Sequence, residues 1–158
     1  MSKKEGKYLC FSLGKEEYGI AILKVKEIIA MMEISEIPGA PVFIKGVINL
    51  RGKIIPLLDL RLKFSLEELR YTERTCIIVV EVEDAGQNRQ IAIAVDAVNE
   101  VVKIEKEDIE DAPEYSDDES NKLLTGIAKL NEKVIILLDS DKAFNFKEGL
   151  KITSINKE

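Results

Sequence analysis

The chain has 158 residues, of which 46% are apolar and 33% charged, and its formal net charge is −6. A chain of this length can form one ordinary domain with a hydrophobic core, and the composition excludes a disordered linker. Because the sequence has no histidine, it lacks the commonest general base and metal ligand, so we expect no catalysis, no metal and no cofactor.

The chain opens with polar residues 1–7 and then enters a first strand-like run, residues 8–13. It therefore lacks the apolar stretch of a secretory signal, and no later window approaches the about 18 apolar residues that a membrane helix needs. We expect a cytoplasmic protein without direct membrane insertion. Its two cysteines, Cys10 and Cys76, lie in apolar runs, where free buried thiols are expected.

An internal repeat organises the rest of the chain. Residues 46–61 align without a gap with residues 126–141, and residues 20–29 align with residues 93–102. The distance between the two blocks is longer in the second copy, and the added residues fall in an acidic stretch, 105–120. We interpret that stretch as a solvated loop, because it lacks the glycine and alternating oxygen ligands of a calcium loop. Two similar halves follow.

Within the first copy, residues 47–50 and 53–60 are predicted to be strands joined by a tight turn at Arg51 and Gly52. Glycine readily adopts the positive φ that such a turn requires. Arg51 is then exposed at the tip, whereas the second copy has Asn131 at this position. Arginine is enriched among the residues that dominate protein interfaces, so this unshared charge is a functional candidate.

Helix is scarce in the pattern. The motif at residues 65–68 predicts one short helix between the halves, and a second is predicted from Ser140 or Asp141 to about Phe146. Short strands at this spacing predict an all-β, mainly β fold of two fused five-stranded barrels, because closure removes exposed strand edges. We expect a single domain whose halves span about 7–67 and 72–146, with an apolar seam between them and a C-terminal tail at 147–158.

Two alternative functions follow from local patterns. Asp59 after an apolar strand resembles the phosphoacceptor of a receiver domain, but residues 74–102 are almost entirely strand-like, whereas a receiver alternates helices with parallel strands. A local excess of basic residues favours nucleic-acid binding, although the chain is acidic and has few aromatic residues for base stacking. These basic residues are Lys45, Arg51, Lys53, Arg61 and Lys63. We expect no nucleic-acid partner.

Four blocks form a specific pattern: EYGI at 17–20, ILKVKEI at 22–28, PVFIKG at 41–46 and VINLRGKIIP at 47–56, followed by Asp59, Leu60, Arg61 and Phe64. This pattern resembles the CheW family of bacterial chemotaxis coupling proteins, and the resemblance covers nearly the whole chain. The resemblance implies SH3-like barrels and an adaptor without catalysis. Its implied partners are the helical hairpin tip of chemoreceptors and the regulatory domain of the histidine kinase CheA.

The regulatory domain of CheA shares the same pattern, and CheV proteins add a receiver domain to it. A chain of 158 residues without histidine has no phosphoacceptor, and it has no ATP-binding domain and no receiver. It therefore resembles the stand-alone coupling protein. The resemblance implies a protein that is monomeric when free and is recruited to membrane-anchored receptor arrays.

The family's receptor-side positions fall on eight residues: Val25, Glu27, Gly46, Asn49, Arg51, Gly52, Thr75 and Ile77. We expect the two glycines to allow close backbone approach, Val25 and Ile77 to supply apolar contact, and Arg51 and Glu27 to make charge-assisted bonds. A receptor helix would lie in an apolar groove between the barrels. Glu100 matches Glu27 in the repeat, so a structural role for Glu27 stays open. The kinase is expected at a barrel end with exposed apolar residues.

Overall fold

The computed structural model describes residues 5–64, 66, 70–84, 86–111 and 123–144. This part of the chain is mainly β, as predicted. Its strands are β1 (Gly6–Leu13), β2 (Glu16–Ala21), β3 (Val25–Ala30), β4 (Ile44–Leu50), β5 (Lys53–Asp59), β6 (Cys76–Asp84), β7 (Gln87–Val95), β8 (Ala97–Ile104), β9 (Ile109–Glu110), β10 (Leu124–Leu130) and β11 (Lys133–Leu138).

Helices in the described residues are short. They are α1 (Leu60–Lys63), α2 (Ser140–Ala143) and the 3₁₀ turns Ile22–Lys24 and Lys106–Asp108. Both α-helices follow a capping aspartate, because the carboxylate of Asp59 accepts the N–H of Arg61 and that of Asp139 accepts the N–H of Lys142. Of the helix predicted at 65–68 the structure describes Leu66 alone, and the residues after 144, including the tail, lie outside the described residues. No described helix has the length and apolar character needed to cross a membrane.

The strands form two sheets, with the order β8-β1-β2-β11-β10-β9 in one and β3-β6-β7-β5-β4 in the other. Pairing is antiparallel except where β2 meets β11 and β5 meets β7. The hairpin β1–β2 of the first copy therefore lies among strands of the second, and the hairpin β6–β7 lies among strands of the first. The sheets thus cut across the predicted boundary between residues 67 and 72. One sheet has the five strands predicted, and the other has the two-residue β9 as a sixth.

The exchanged hairpins share the largest core cluster. Phe11 and Ile20, from β1 and β2, belong to one buried cluster with Ile78 and Ile93, from β6 and β7, and with Phe144. All five are 0% exposed, and burying each such side chain contributes roughly 1.5–3 kcal/mol to folding. This cluster forms the apolar seam predicted between the halves. Each sheet also has a smaller core cluster of its own.

The five-stranded sheet is strongly curled. Its edge strands, β3 and β4, would be about 19 Å apart in a flat sheet, since neighbouring strands are spaced by about 4.8 Å. Nevertheless Arg51, at the end of β4, donates a hydrogen bond of 3.2 Å to Glu27 on β3. Ser35, after β3, exchanges backbone hydrogen bonds of 2.9 Å with Val47 on β4. The two edges therefore approach each other, as a barrel requires. The SH3-like detail stays a prediction.

Two polar contacts fasten the short helices to the exchanged hairpins. On α1, Arg61 donates to both carboxylate oxygens of Asp96 at 2.7–3.2 Å, and Asp96 also accepts the N–H of Gly14 in the β1–β2 turn. On α2, Asp141 accepts from Lys24 at 3.1 Å and from the N–H of Glu83 on β6. Arg61 and Asp141 occupy the same repeat position, so the two halves make equivalent contacts with opposite charge.

Removing the charge of Asp96 should destabilise the fold. Burial raises the pKa of this carboxyl, but the hydrogen bonds from Arg61 and Gly14 and the charge of Arg61 outweigh it and hold the pKa below its usual value. Because Arg61 is only 9% exposed, we expect Asp96→Asn to lower the free energy of unfolding by about 1–2 kcal/mol at pH 7. Urea denaturation measures this loss.

The same pair predicts a pH dependence. A carboxyl with a lowered pKa in the folded state stabilises the fold above its unfolded pKa of about 3.9. That contribution is lost as the pH falls through the lower folded value of Asp96. As the pH is lowered from 5, the free energy of unfolding of the unmodified chain should therefore fall by more than that of Asp96→Asn. Parallel losses in the two proteins would show that Asp96 does not carry this dependence.

Candidate functional site

The predicted turn between β4 and β5 is present. Arg51 and Gly52 have positive φ values of 52° and 85°, as a two-residue turn of type I′ requires. Asn49 stabilises the turn, because its side-chain oxygen accepts the N–H of Gly52 at 2.9 Å. From Gly46 to the turn the strands pair in regular register, and Leu50 faces Lys53. Arg51 therefore stands on a well-ordered support.

Arg51 at this tip is paired with Glu27. Its two terminal nitrogens donate to the two carboxylate oxygens of Glu27, so the contact is bidentate. The hydrogen bonds and charge of Arg51 hold the pKa of Glu27 below its usual value, and Glu27 raises the pKa of Arg51. The Arg51 side chain is still 69% exposed, against 31% for Glu27. The pair thus fixes the guanidinium while leaving much of its surface to a partner.

The second half has a different arrangement at the equivalent place. Asn131 also has a positive φ, of 57°, but it carries no charge. Glu100, the counterpart of Glu27, lies 3.8 Å from Lys133, which also contacts Glu17 at 3.2 Å. A glutamate at this repeat position is therefore paired in both halves. An arginine at the turn is found in the first half alone.

A shallow cleft adjoins the turn. It is lined by Met32, Glu33, Ser35, Asn49, Arg51 and Gly52, and we refer to it as the Arg51 cleft. Its lining combines an apolar thioether with charged and amide groups. A partner held there would meet both apolar surface and hydrogen-bonding groups, as in the core and rim of protein interfaces.

Gly46 serves the fold in a way that the sequence did not indicate. A Cβ atom at Gly46 would lie 2.1 Å from the carbonyl oxygen of Ser35, and its φ is 148°. The close backbone approach that we predicted for a partner is therefore made by the chain's own backbone at Ser35. Gly126, its repeat counterpart, is crowded in the same way by the carbonyl oxygen of Glu110 at 2.8 Å. This close contact, present in both halves, explains why both repeat positions are glycine.

The eight predicted residues do not form one surface. Glu27, Asn49, Arg51 and Gly52 come together at the turn. Ile77 is 0% exposed, because β6 lies between β3 and β7 and is covered on both faces, so its predicted contact with a partner does not fit its position. Val25 is half-buried against the largest core cluster. Thr75 lines a different cleft, described below.

Sequence reasoning did not single out several exposed residues. Leu23 is 92% exposed, Val42 73% and Ile28 44%. Leu23 and Ile28 lie in one of the blocks that carry the family resemblance, but in the sequence they look like core residues. Arg70 and Arg74 are exposed beside Thr75. They lie between the two copies, where the repeat offers no comparison.

Comparisons with known proteins agree on one family. A family model described as CheW-like domain matches residues 7–148. The chain is 41% identical over 150 residues to the chemotaxis protein CheW of Klebsiella aerogenes, covering 95% of this chain and 88% of that protein. It is 36% identical to CheW of Helicobacter pylori, with 83% and 76% coverage. The crystal structure of the scaffolding protein TtCheW from Thermoanaerobacter tengcongensis matches with a TM-score of 0.78 and 37% identity over 90% of both chains.

Proposed function

Because this chain belongs to the CheW family of chemotaxis scaffold proteins, we propose that it couples chemoreceptors to the histidine kinase CheA. In this proposal it binds the cytoplasmic helical hairpin tip of a receptor and the regulatory domain of the kinase. It works in the cytoplasm at receptor arrays and catalyses no reaction. Its contribution to signalling is to hold the two partners at a fixed relative position.

The observation that carries the receptor side is the Arg51–Glu27 pair on the β4–β5 turn. The guanidinium is mostly exposed, and its orientation is fixed by two hydrogen bonds and by the turn beneath it. A group whose geometry is already fixed loses little entropy when a partner binds. A helical partner could lie across this turn with apolar residues in the Arg51 cleft.

An apolar end of the five-stranded sheet supports the kinase side. Leu23 lies in the 3₁₀ turn before β3, and its side chain is almost fully exposed. Ile28, on the outward face of the edge strand β3, is also exposed. An apolar side chain exposed beside an edge strand offers a partner apolar contact next to backbone groups that can pair with another chain. We assign this surface, Leu23 and Ile28, to the regulatory domain of the kinase.

A bridging assay tests the proposal. A receptor tip fragment is immobilised, and the kinase regulatory domain is added with and without this chain. We expect the kinase domain to be retained only when the chain is present, because the chain supplies both binding surfaces. Equal retention in its absence, or no retention with it, would contradict the proposed coupling function.

Leu23→Glu should separate the two surfaces. We expect it to weaken binding of the kinase regulatory domain by at least about tenfold, since it removes an apolar contact and places a charge at the interface. Binding of the receptor tip should not change. Val134→Glu is the matched control, because Val134 is exposed on the six-stranded sheet. Titration calorimetry measures both affinities. If Leu23→Glu binds the kinase domain as tightly as the unmodified chain does, Leu23 does not belong to this surface.

A further inference from the structure

A second cleft lies where the two sheets meet. The β1–β2 hairpin of the six-stranded sheet contributes Ser12 and Gly14, and the segment that leads into β6 of the five-stranded sheet contributes Arg70, Thr72, Arg74 and Thr75. The β7–β8 turn completes the lining. We refer to it as the junction cleft. It has no lining residue in common with the Arg51 cleft.

The charge of the junction cleft is positive. Its acidic lining residue, Asp96, already accepts hydrogen bonds from Arg61 beneath it and from the N–H of Gly14. Arg70 and Arg74 are both exposed. Neither has a carboxylate within ion-pair distance among the residues that the structure describes. Within the described part of the chain the two guanidinium groups thus make no ion pair, and they can contact a partner that enters the cleft.

The hydroxyl groups of the junction cleft add further donors. The hydroxyl oxygen of Thr72 accepts the N–H of Arg74 at 3.1 Å, and that of Thr75 accepts the N–H of Thr72 at 2.8 Å. The hydroxyl oxygen of Ser12 accepts from Asn99 at 3.0 Å. Each hydroxyl thus uses an acceptor site within the chain and keeps its own hydrogen to donate. Because Thr75 is buried, the donors that a partner would meet are mainly the two guanidinium groups and the hydroxyl groups of Thr72 and Ser12.

We propose that the junction cleft binds carboxylate side chains of the receptor tip. A lining of guanidinium and hydroxyl donors is complementary to a carboxylate, which has acceptors alone. Thr75 connects the cleft with the receptor-side positions implied by the family resemblance. A nucleic acid is disfavoured as the occupant, because the net charge of the chain is −6 and would repel a polyanion. The inference rests on the proposed coupling function and adds the chemistry of the bound segment.

The test compares two double variants of equal charge change. Arg70→Gln/Arg74→Gln removes the cations of the junction cleft, whereas Lys103→Gln/Lys129→Gln removes two exposed cations of the six-stranded sheet. Each is titrated with a receptor tip fragment at about 50 mM and about 500 mM NaCl. We expect the cleft variant to bind about 3–10-fold more weakly at low salt, with a smaller difference at high salt. The control variant should bind as the unmodified chain does.

A receptor fragment whose acidic residues are changed to amides completes the test. It should bind the unmodified chain more weakly, and the cleft variant should cause no additional loss. The proposal would be overturned if the cleft variant lost the same receptor affinity at both salt concentrations. It would also be overturned if the cleft variant lost as much affinity for the amide fragment as for the unmodified fragment. So would binding of a DNA duplex at about 150 mM NaCl that the cleft variant abolishes.

The receptor-side variant Arg51→Asn distinguishes failure of this inference from failure of the proposed function. If it weakens receptor binding while Arg70→Gln/Arg74→Gln does not, the junction cleft is not a carboxylate site and the coupling function stands. If neither variant changes receptor binding, both proposals are wrong.

Discussion

Replacing Gly46 with alanine is expected to lower the free energy of unfolding by about 3 kcal/mol. A methyl group at this position would overlap the carbonyl oxygen of Ser35, from which a Cβ would lie 2.1 Å, and its φ of 148° is strained for any L side chain. The obstructing atom belongs to the backbone of a paired segment, because Ser35 and Val47 exchange hydrogen bonds. Relief would require the segment after β3 to move away from β4.

Gly6→Ala is the matched control for Gly46→Ala. Gly6 also has a positive φ, of 140°, but a Cβ there would have no neighbour within 4 Å. It therefore measures the cost of the backbone conformation alone, about 1–3 kcal/mol. Chemical denaturation of the two variants gives the difference caused by the close approach. Equal losses would mean that the chain at Ser35 yields easily and that Gly46 is not needed for packing.

Arg51→Asn is expected to weaken binding of a receptor tip fragment by about 2 kcal/mol or more, or roughly 30-fold. Asparagine tolerates the positive φ of the turn, and it is the residue that the second half has at the equivalent turn, Asn131. The variant therefore removes the guanidinium and preserves the backbone. Isothermal titration with the fragment measures the loss.

Lys129→Asn is the control for the loss of one surface cation. Lys129 is 63% exposed and pairs with Glu110, much as Arg51 pairs with Glu27, and it occupies the repeat position of Asn49. We expect its receptor affinity and free energy of unfolding to remain within about 0.5 kcal/mol of the unmodified values. If Arg51→Asn binds the receptor as the control does, the β4–β5 turn is not the receptor-binding site.

Features with local causes were predictable from the sequence. The β4–β5 turn follows from a glycine between two apolar runs, and the structure has it at Arg51 and Gly52. The repeat correctly indicated equivalent strands and equivalent turns in the two halves. The apolar seam also followed, since each half alone is too small to bury a full core. These inferences depend on residues near in sequence or on a count of strands.

The exchange of hairpins could not be predicted in this way. Strand β2 pairs with β11, more than 110 positions further along the chain, and nothing in the letters of either strand specifies a partner at that distance. A repeat is equally compatible with two separate barrels and with exchanged ones, because equivalent strands carry equivalent residues. The seam cluster of Phe11, Ile20, Ile78 and Ile93 distinguishes these two arrangements only when the positions of the strands in the fold are known.

The candidate site likewise combines features that could be predicted from the sequence with features that could not. Asn49, Arg51 and Gly52 lie on one turn, and Glu27 joins them through an ion pair. The family resemblance implied all four as receptor-side positions, which stays a prediction, and it could not show that Arg51 is already paired. The contact of Ile77 with a partner was implied by the family resemblance, and its complete burial on β6 does not fit that role. A β-strand covered on both faces does not alternate, so its sequence does not show which side chains reach the surface. The exposure of Leu23 depends on the 3₁₀ turn before β3.

The exchanged hairpins join the two sheets of the described chain into one body. Hinge motion between the sheets would require β1–β2 and β6–β7 to separate from their neighbours, which breaks backbone ladders in both sheets at once. The molecule is therefore one cooperative unit. In the coupling that we propose, a displacement imposed at the β4–β5 turn would be carried to the end that bears Leu23, and motion of one bound protein would reach the other as a movement of the whole body.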